Sequence, residues 1–325
     1  MSLERLKIKH WRQNRYLKSR QDLMTKAVET TKPLSVILSW SFKIAILLFF
    51  GFIIVFPFLF MLNQSVLDRR WQNNTDVLVW YPRAYGDSTQ VFFFENFKAA
   101  FQDGYFKAVL YTASITALSV ICRIFFSMTF GYAFSMKKWR FKNLSWALFL
   151  ALLVLPEVAL LSGQYRVIVT LNWKDGIAQY IALTMPFVAS VFSGFMYRNA
   201  FEEITGSVKE SAMIDSANEF VFFTKIAMPM VKATTWTIAI LTALASWNSF
   251  TWPLLVISEK EGSWSVINVW LTHTGKDPAD EQPIVYISVR IAANILGILP
   301  MFITYFLLRK RIMNAISRQG RATKG

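Results

Sequence analysis

The side chains that enzymes use for catalysis are scarce in this sequence. It contains two histidines, His10 and His273, and one cysteine, Cys122, which lies within an apolar run. The histidines lack metal-ligand spacing, and a single cysteine excludes both an intramolecular disulfide and a multi-cysteine metal site. A glycine-rich phosphate loop of the Gly-x4-Gly-Lys-Ser/Thr kind is also missing, so the chain does not bind ATP through that motif. We therefore expect neither enzymatic activity nor a bound cofactor.

Two charged residues stand near the middle of apolar runs, where an ionised side chain is costly and is by default a candidate for function. Arg123 lies in the run 108–134, and Glu157 directly follows Pro156. An ion pair between Arg123 and Glu157 is one interpretation, and two ions satisfied separately near the interface is the other. Arg290, near the end of another run, can reach the interface or pair locally.

The elements that position these residues are membrane spans. Hydrophobic residues make up 54% of the 325 residues, and they are concentrated into runs of about 20, the length that crosses a bilayer core. Six runs lie near residues 40–62, 108–134, 144–162, 178–197, 233–257 and 284–308. The predicted fold class is all-α, a polytopic membrane protein with six transmembrane helices. Kinks are predicted at Pro57, Pro156, Pro186, Pro253 and Pro300.

The polar segments between the runs alternate in charge. Segments 1–38, 137–142, 198–232 and 309–325 contain 23 Lys and Arg, whereas 63–106, 163–177 and 258–283 contain eight. Because cytoplasmic loops carry the excess of Lys and Arg, both termini are predicted to lie in the cytoplasm. The same rule accounts for the net charge of +15 without nucleic-acid binding, since the basic residues form no separate domain.

The predicted organisation has four parts. A basic N-terminal segment (1–38) precedes the first span with its outer loop (39–105), a five-span core (106–308) and a cytoplasmic C-terminal tail (309–325). The first run is too long for the apolar region of a cleaved signal peptide, so we interpret it as a span.

The segment 198–232 is long for a connection between two spans. Two capping-box patterns predict two helices in it: Ser207 with Glu210, ahead of a helix at 208–215, and Ser216 with Glu219, ahead of a helix at 217–228. Apolar residues recur at three- and four-residue spacings, namely Val208, Ala212, Phe220, Phe223 and Ile226. They give each helix one face to pack and one to present. Such a pair can dock a soluble partner or lie on the membrane surface, and its chemistry leaves both open.

Within this segment, Glu210-Ser211-Ala212 is followed after three residues by Ser216, and after nine more by Ile226-Ala227-Met228-Pro229. The pattern resembles the cytoplasmic loop of ABC importer permeases, which reads Glu-Ala-Ala, three residues, Gly, nine residues, Ile, one residue, Leu, Pro. Every spacing is kept, and the identities differ at Ser211, Ser216 and Met228. Serine adopts a positive φ less readily than glycine, so the sharpness of the turn at Ser216 stays open, and its hydroxyl can cap the next helix.

Further segments extend the resemblance over roughly residues 105–325. The run Trp247-Asn248-Ser249-Phe250-Thr251-Trp252-Pro253 resembles the signature of the carbohydrate-uptake branch. Gly131-Tyr132-Ala133-Phe134 and the C-terminal Gly320–Gly325 resemble the smaller maltose-type permease subunit.

The resemblance implies a permease subunit of an ATP-driven importer in the plasma membrane of a prokaryote, forming half of the pathway for a sugar or a related solute such as a glycerol phosphate. The implied partners are a second permease subunit, a cytoplasmic ABC ATPase dimer and an extracytoplasmic substrate-binding protein, with membrane lipid around the spans. The residues implied in docking the ATPase are Glu210, Ser211, Ala212, Asp215, Ser216, Ala217, Ile226 and Pro229. Glu210 caps its own helix, faces a basic residue of the ATPase, or does both.

The outer segments are open to two interpretations each. Loop 258–283 matches the position at which this branch contacts its binding protein, and an ordinary surface loop is the alternative. Loop 63–106 is rich in aromatic residues, which stack on sugars or form an interfacial belt. Trp247 and Asn248 line the pathway or pack their helix through hydrogen bonds. The rival function is a secondary carrier, which needs inverted repeats and several buried carboxylates, and the sequence shows no repeat and few such acids.

Overall fold

The structure is a computed structural model that describes residues 10–11, 13–17, 33–73, 79–257, 264–276 and 285–322. Most of the predicted N-terminal segment 1–38 lies outside these residues. Over the described ranges the regular structure is helical, and the strand-like contacts are two isolated bridges, Arg83 with Gln90 and Lys276 with Val285. The all-α class is therefore confirmed. The chain divides into two compact units, residues 1–59 and 60–325.

The first unit contains most of helix α1, Pro33–Ser65. Its stretch Ile37–Ser65 has 29 residues and a mean hydropathy of 2.9. At 1.5 Å per residue it is about 43 Å long, more than a hydrocarbon core of about 30 Å requires. Pro57 lies inside α1, and the helix nevertheless continues to Ser65 in the second unit. The first predicted span is confirmed.

The second unit is built from twelve further helices over its described residues. They are α2 (Glu95–Ala100), α3 (Phe106–Met136), α4 (Lys142–Ala151), α5 (Glu157–Thr170), α6 (Gly176–Val188), α7 (Val191–Glu202), α8 (Gly206–Ile214), α9 (Glu219–Met230), α10 (Lys232–Trp247), α11 (Thr251–Val256), α12 (Ile267–His273) and α13 (Ile287–Ala322). Short 3-10 turns lie at Arg69–Asn73 and Leu152–Val154, and π-helical turns lie at Phe101–Tyr105 and, within α9, at Phe222–Ala227.

Six spans are accommodated when bent helix pairs are counted as single crossings. Within the described ranges, three helical stretches are long and apolar enough to cross alone: Ile37–Ser65, Glu95–Met136 and Ile287–Leu307. Three pairs pass the same criteria together but bend by more than 40° at a short break: α4 with α5, α6 with α7, and α9 with α10. The predicted number of spans therefore fits the fold. The first two bends fall within the predicted spans 144–162 and 178–197, whereas the third lies at Val231, between the predicted cytoplasmic segment and the span 233–257.

The break between α4 and α5 has a local cause. Leu155 is extended, with φ −73° and ψ 122°, because a residue that precedes proline is pushed out of the helical region. Pro156 then takes the N-cap position of α5, which continues to Thr170. The predicted span 144–162 is thus two helices, and the first half of the predicted loop 163–177 is helical.

Two other predicted spans are also interrupted. The run 178–197 breaks at Ala189 and Ser190, where the Ser190 hydroxyl accepts a hydrogen bond from the Ser193 N–H at 3.2 Å and caps α7. The run 233–257 ends its main helix at Trp247 and resumes as the short helix α11.

Helix α3 is the centre of the second unit and packs against α6, α7 and α10. Its closest approach to α7 is at Gly131, where an added Cβ would lie 2.5 Å from the Tyr197 Cβ and 2.8 Å from the Arg198 backbone nitrogen. Gly194 of α7 makes the reciprocal contact, since its added Cβ would lie 2.9 Å from the Phe130 ring. Small residues at these positions let the two backbones approach closely, as is typical of membrane helices.

Two apolar clusters lie at opposite ends of α3. The loop cluster contains the buried residues Met128, Tyr197, Phe201, Ile204, Ala212, Phe222, Ala227, Val231 and Ile238. The α12 cluster contains Ala100, Tyr105, Ala108, Trp247, Ile267, Trp270, Val289, Ala292 and Ala293. A third cluster packs beside the latter around Tyr111, Leu183, Trp252 and Val256. The bundle therefore has a separate core at each end.

Arg123 of α3 is satisfied by backbone oxygens. Its guanidinium donates to the carbonyl oxygens of Pro186, Phe187 and Ala189, where α6 ends and its last carbonyls lack helical partners. A cation at a helix C-terminus is also favoured by the helix dipole. The Glu157 side chain lies outside the described part of the chain, so the Arg123–Glu157 pair stays a prediction.

Candidate functional site

The segment 198–232 folds as the end of α7, then α8, a tight turn and α9. Helix α8 begins two residues earlier than predicted, with Thr205 at its N-cap position. Ser207 therefore lies in the first turn of α8, and its hydroxyl is 3.0 Å from that of Thr205. The predicted capping box of Ser207 and Glu210 was wrong, because the backbone already turns helical at Gly206.

The predicted cap of the second helix was also wrong. Asn218 occupies the N-cap position of α9, and its Oδ1 accepts a hydrogen bond from the Val221 N–H at 2.8 Å. Asparagine is among the strongest N-cap residues, so it competes well with Ser216 for this role. Helix α9 also passes through Pro229 and ends at Met230, two residues beyond the predicted end.

Ser216 forms the turn between α8 and α9. Its φ is +57°, in the left-handed region that favours glycine. Its N–H donates to the Met213 carbonyl at 3.0 Å, and the Ala217 N–H donates to the Ala212 carbonyl at 3.0 Å. These two bonds are the pattern of a Schellman motif, which closes a helix through one left-handed residue. The turn is therefore as sharp as one with glycine, because serine adopts the conformation that glycine would.

The inward side of this loop is bound into the loop cluster. Ala212 is buried, and Ala217 and Ile226 pack against the cluster from α8 and α9. The Tyr132 ring of α3 lies between two others, with centroids 5.4 Å from Phe201 and 4.7 Å from Phe223. The loop is thereby attached to α3 and α7 by contiguous packing.

Two polar contacts reinforce this attachment. The Tyr197 hydroxyl donates to Thr235 Oγ1 at 3.1 Å, which joins α7 to α10. Lys137, at the start of the basic hairpin 137–142, forms an ion pair with Glu219 at the start of α9. The hairpin, the loop and the ends of α7 and α10 consequently form one connected assembly.

The outward side of the loop presents apolar residues around the turn. Met213 is 60% exposed, Ile214 is 82% exposed and Phe220 is 74% exposed. Phe220 was predicted to pack inward, which was wrong because α9 begins later than predicted and its register differs. Met213 and Ile214 were not singled out from the sequence. The helical spacing of about 100° per residue could have identified Ile214, because it lies two residues after buried Ala212 and so points about 200° away from it, toward the opposite face of α8.

The predicted docking residues divide into two groups. Glu210, Ser211, Asp215 and Ser216 are exposed around the turn, Pro229 is exposed at the far end of α9, and Ala212, Ala217 and Ile226 lie beneath. Glu210 makes no hydrogen bond or ion pair with the described residues, so it does not cap its own helix in this structure. Its carboxylate is available to a partner.

Trp247 and Asn248 have different surroundings. Trp247 is buried in the α12 cluster, and its carbonyl oxygen accepts a hydrogen bond from Asn268 Nδ2 at 3.0 Å. Asn248 is exposed, and its Nδ2 donates to the Leu244 carbonyl of its own helix at 3.0 Å. It continues an exposed stripe of α10 that contains Leu241, Leu244 and Ala245. Trp247 therefore packs, whereas Asn248 lies on an open helix face.

The middle of the predicted outer loop 258–283 is a packed helix. Ile267, Val269 and Trp270 of α12 are buried, and the Ile267 N–H donates to Thr112 Oγ1 at 2.8 Å. Arg290 donates to the carbonyls of Thr272 at 3.1 Å and Thr274 at 3.4 Å, at the C-terminal end of α12. The interpretation of segment 258–283 as an ordinary surface loop is thus wrong for the part that forms α12. Residues 258–263 and 277–283 lie outside the described part of the chain.

Comparison with known proteins identifies the family. The family model described as binding-protein-dependent transport system inner membrane component matches residues 123–314. The chain is 44% identical over 319 residues to the probable ABC transporter permease protein MG189 homolog of Mycoplasma pneumoniae, covering 96% of this chain and 97% of that protein. It is 28% identical over 174 residues to the arabinooligosaccharides transport system permease protein AraQ of Bacillus subtilis, covering 53% of this chain and 61% of that one.

A solved structure shares the fold. The chain matches a bacterial ABC transporter involved in the import of the acidic polysaccharide alginate with a TM-score of 0.68 and 19% identity, covering 87% of this chain and 99% of that chain. The matched segment 123–314 contains α8, the Ser216 turn and α9, whose spacing first indicated this group of proteins. The chain therefore belongs to the family of binding-protein-dependent transport system inner membrane components, the permeases of ABC transporters.

Proposed function

We propose that this permease forms half of the translocation pathway of an importer and docks a cytoplasmic ABC ATPase through segment 198–232. The observation that carries the proposal is the turn at Ser216, which exposes Met213, Ile214 and Phe220 beside Glu210, a carboxylate with no partner among the described residues. A cluster of exposed apolar side chains beside an unpaired carboxylate is suited to insertion into a groove with a basic rim.

The free energy of apolar burial favours a protein partner over water as the environment of these three side chains. Burying a Leu-, Ile- or Phe-sized side chain contributes about 1.5–3 kcal/mol, so three of them supply enough to anchor an interface. Membrane insertion of the same face is the competing interpretation. The exposed Glu210 and Asp215 and the half-buried Lys209 around that face oppose it, because charged side chains resist entry into the bilayer.

The attachment of the loop suits the transmission of motion. Closure of the ATPase pair would displace α8 and α9, and the ring contacts of Tyr132 with Phe201 and Phe223 would carry the displacement to α3 and α7. ATP hydrolysis then belongs to the partner, and this chain performs transport without catalysis of its own. Coupling of this kind is a free-energy linkage between two sites.

The remaining parts of the proposal concern topology and cargo. The excess of Lys and Arg in segments 1–38, 137–142, 198–232 and 309–325 favours a cytoplasmic location for both termini. The exposed stripe of α10 that ends at Asn248 is the face we assign to the pathway, with a second permease subunit opposite. Relatives are named for arabinooligosaccharides and for sn-glycerol-3-phosphate, so we propose a sugar or a related polyol phosphate, delivered by an extracytoplasmic binding protein.

Docking is tested by reversing one charge at two sites. Glu210→Lys places a cation at the exposed turn, and Glu203→Lys makes the same change seven residues earlier, at the end of α7. We expect Glu210→Lys to weaken co-purification of the ATPase at least tenfold and to abolish uptake in proteoliposomes, while Glu203→Lys retains both. Ile214→Asp should behave like Glu210→Lys.

The opposite outcomes are equally clear. Full uptake with Glu210→Lys and also with Ile214→Asp would show that the ATPase docks elsewhere. Uptake by the chain with no ATPase present would support a secondary carrier instead. Uptake of labelled oligosaccharides, monosaccharides and glycerol 3-phosphate by the intact complex identifies the cargo, and transport of none of them would remove the sugar or polyol phosphate from the proposal.

A further inference from the structure

An apolar groove of about 430 Å³ lies against the last turn of α1. The residues that shape it include Leu62, Val66, Trp80, Phe92, Phe94 and Phe97, and among the described residues that line it none is charged. The two Phe rings at 92 and 94 are stacked with centroids 6.2 Å apart, so that side of the groove is a continuous aromatic wall.

The position of the groove along the chain sets its depth in the membrane. Leu62 and Ser65 belong to the final turn of the apolar stretch Ile37–Ser65, and Val66 follows it. Because this stretch is longer than a hydrocarbon core of about 30 Å, we place its end, and the groove with it, at the level of the membrane interface. Three aromatic side chains on it are largely exposed, Trp80 at 61%, Phe92 at 51% and Phe94 at 67%. Aromatic rings are enriched at this depth, where part of each ring contacts acyl chains.

Two polar features mark the groove as more than a belt. The Asn63 amide donates through Nδ2 to the Trp80 carbonyl, whereas its Oδ1 is buried and accepts no hydrogen bond within the described residues. A buried acceptor without a donor is costly, by about 1–3 kcal/mol, unless a ligand supplies the donor. Asn63 is thus a polar side chain among the groove residues whose acceptor has no partner in the described part of the chain.

A positive charge lies beside the groove. The Arg83 guanidinium stacks on Trp71 at 4.6 Å and on Tyr81 at 5.3 Å, and Tyr81 lines the groove. Arg83 forms no ion pair with the residues that the structure describes. Two rings hold this guanidinium next to an apolar groove, an arrangement that suits an anion attached to an apolar chain.

We propose that this groove is a binding site for an anionic phospholipid of the outer leaflet. One acyl chain lies between Leu62, Trp80 and the wall of Phe92 and Phe94, and the phosphate pairs with Arg83. The inference goes beyond transport itself, and it rests on the proposed placement of segment 63–106 at the outer face of the membrane.

Two other occupants fit the observations less well. A sugar needs many hydrogen-bonding partners, and the groove lining offers few beside Asn63, Ser65 and Tyr81. A soluble binding protein would have to cover aromatic side chains at the level of the membrane surface, where lipid reaches them first. Both alternatives are distinguished by the experiment below.

The experiment uses the complete transporter in nanodiscs that contain phosphatidylglycerol with a photoactivatable diazirine on one acyl chain. After irradiation, mass spectrometry measures labelling of peptides from residues 79–97 relative to peptides from 44–56 in α1. We expect the relative labelling of 79–97 to be at least threefold higher than with a phosphatidylcholine probe, whereas 44–56 takes up both probes equally. Annular lipid gives no such headgroup preference.

Variants locate the site within the loop. Arg83→Gln should remove the headgroup preference, and Arg83→Lys should retain most of it. The matched control is Lys98→Gln, which deletes one positive charge from the exposed side of α2 in the same loop. Trp80→Ala should reduce labelling with both probes.

Three results would overturn the proposal: equal labelling by the two headgroups, loss of preference in the Lys98→Gln control, or labelling of 79–97 that is blocked by the substrate-binding protein. ATPase co-purification is measured on the same samples, so a failure of the lipid site is distinguishable from a failure of the docking loop. Thermal unfolding of Arg83→Gln checks that segment 63–106 remains folded. If this variant unfolds, the headgroup preference is judged from Arg83→Lys, which keeps the positive charge.

Discussion

The two ends of α3 are held by different kinds of contact. At the loop end, the rings of Tyr132, Phe201 and Phe223 and the close approach at Gly131 join α3 to α7 and the Ser216 turn. At the α12 end, polar side chains bind backbone carbonyls instead. Asn268 binds those of Trp247 and Ser249, and Arg290 binds those of Thr272 and Thr274.

This difference suits two mechanical roles. A hydrogen bond weakens steeply when its angle falls below about 120°, so a network of them fixes one arrangement of the α12 end. Packed rings retain contact over a wider range of tilts, because dispersion is summed over many weak atom pairs. The loop end also has the Tyr197–Thr235 and Lys137–Glu219 contacts, and at the α12 end the Tyr105 and Trp270 rings pack with centroids 5.8 Å apart, so the difference is one of proportion. We therefore expect the loop end to tolerate tilting better than the α12 end.

The largest expected effect is steric and lies at the loop end. Gly131→Val places a branched side chain where a single Cβ already lies 2.5 Å from Tyr197 and 2.8 Å from the Arg198 backbone. Because the backbone of α7 has to shift, we expect a loss of more than about 3 kcal/mol, seen as a lower melting temperature and reduced yield in size-exclusion chromatography.

The matched control is Gly163→Val in α5, where an added Cβ meets no atom within 4 Å. It should fold with nearly normal yield. Equal damage by both substitutions would show that loss of glycine itself, and not the contact of α3 with α7, is responsible.

The next largest effect concerns the polar contacts of segment 63–106, the predicted first outer loop. Asn96 is 1% exposed, donates to the carbonyls of Ser65 and Leu67 at 3.0 and 2.9 Å, and accepts from Arg69 Nε at 2.9 Å. Asn96→Leu leaves these groups unpaired, so we expect a loss of about 2 kcal/mol. Hydrogen exchange should accelerate in residues 65–73 and stay normal in α8. Hydrogen exchange that accelerates equally in residues 65–73 and in α8 would argue that the two ends of α3 are not independent.

A smaller effect depends on pH. Burial disfavours the ionised Asp68, but hydrogen bonds from the Arg70 side chain and from the Arg70 and Tyr85 N–H groups outweigh it and lower the pKa of Asp68 below its ordinary 3.8. A lowered pKa stabilises the fold above the unfolded-state value, and this contribution is lost as the pH falls through the folded-state value.

We therefore expect the segment near Tyr85 to exchange faster as the pH falls from about 5 to about 2, once intrinsic exchange is corrected, with a loss of about 1 kcal/mol. Asp68→Asn should show the faster exchange already at neutral pH and no further acid dependence. If the acid dependence persists in Asp68→Asn, another carboxyl group causes it. Asp87→Asn, on the same segment, is the control that tests for such a group.

The smallest effect is a gain in stability. Ser216 holds a φ of +57°, which costs a residue with a Cβ about 1 kcal/mol relative to glycine. Ser216→Gly should therefore raise the free energy of unfolding by about 0.5 kcal/mol, after the greater entropy of glycine in the unfolded chain is subtracted. Ser216→Val should lower it and weaken ATPase binding. An unchanged melting temperature in both variants would show that the turn carries no strain.

The sequence predicted the number of spans and the location of the loop, because run length and spacing are local properties of the chain. It did not predict the breaks at Leu155, Ala189 and Asn248, since hydropathy continues across them while the backbone leaves the helix. Pro156 was flagged as a kink, and the structure shows a complete interruption.

The exposed apolar residues of the loop were harder to predict. Periodicity identified Ala212 and Ile226 as packing residues correctly, but it assigned Phe220 to the same side. The error came from the cap: with Ser216 as the N-cap, Phe220 turns inward, whereas Asn218 as the N-cap places Phe220 outside. Such a choice between two neighbouring caps depends on the backbone of the Schellman turn, which local propensity does not encode.

The angle between α9 and α10 has a mechanical consequence. The two helices meet at 72° across Val231, which is buried in the loop cluster. If a partner pushed along the axis of α9, the force would act almost at right angles to α10. It would tilt α10 more than it would slide that helix along its own axis.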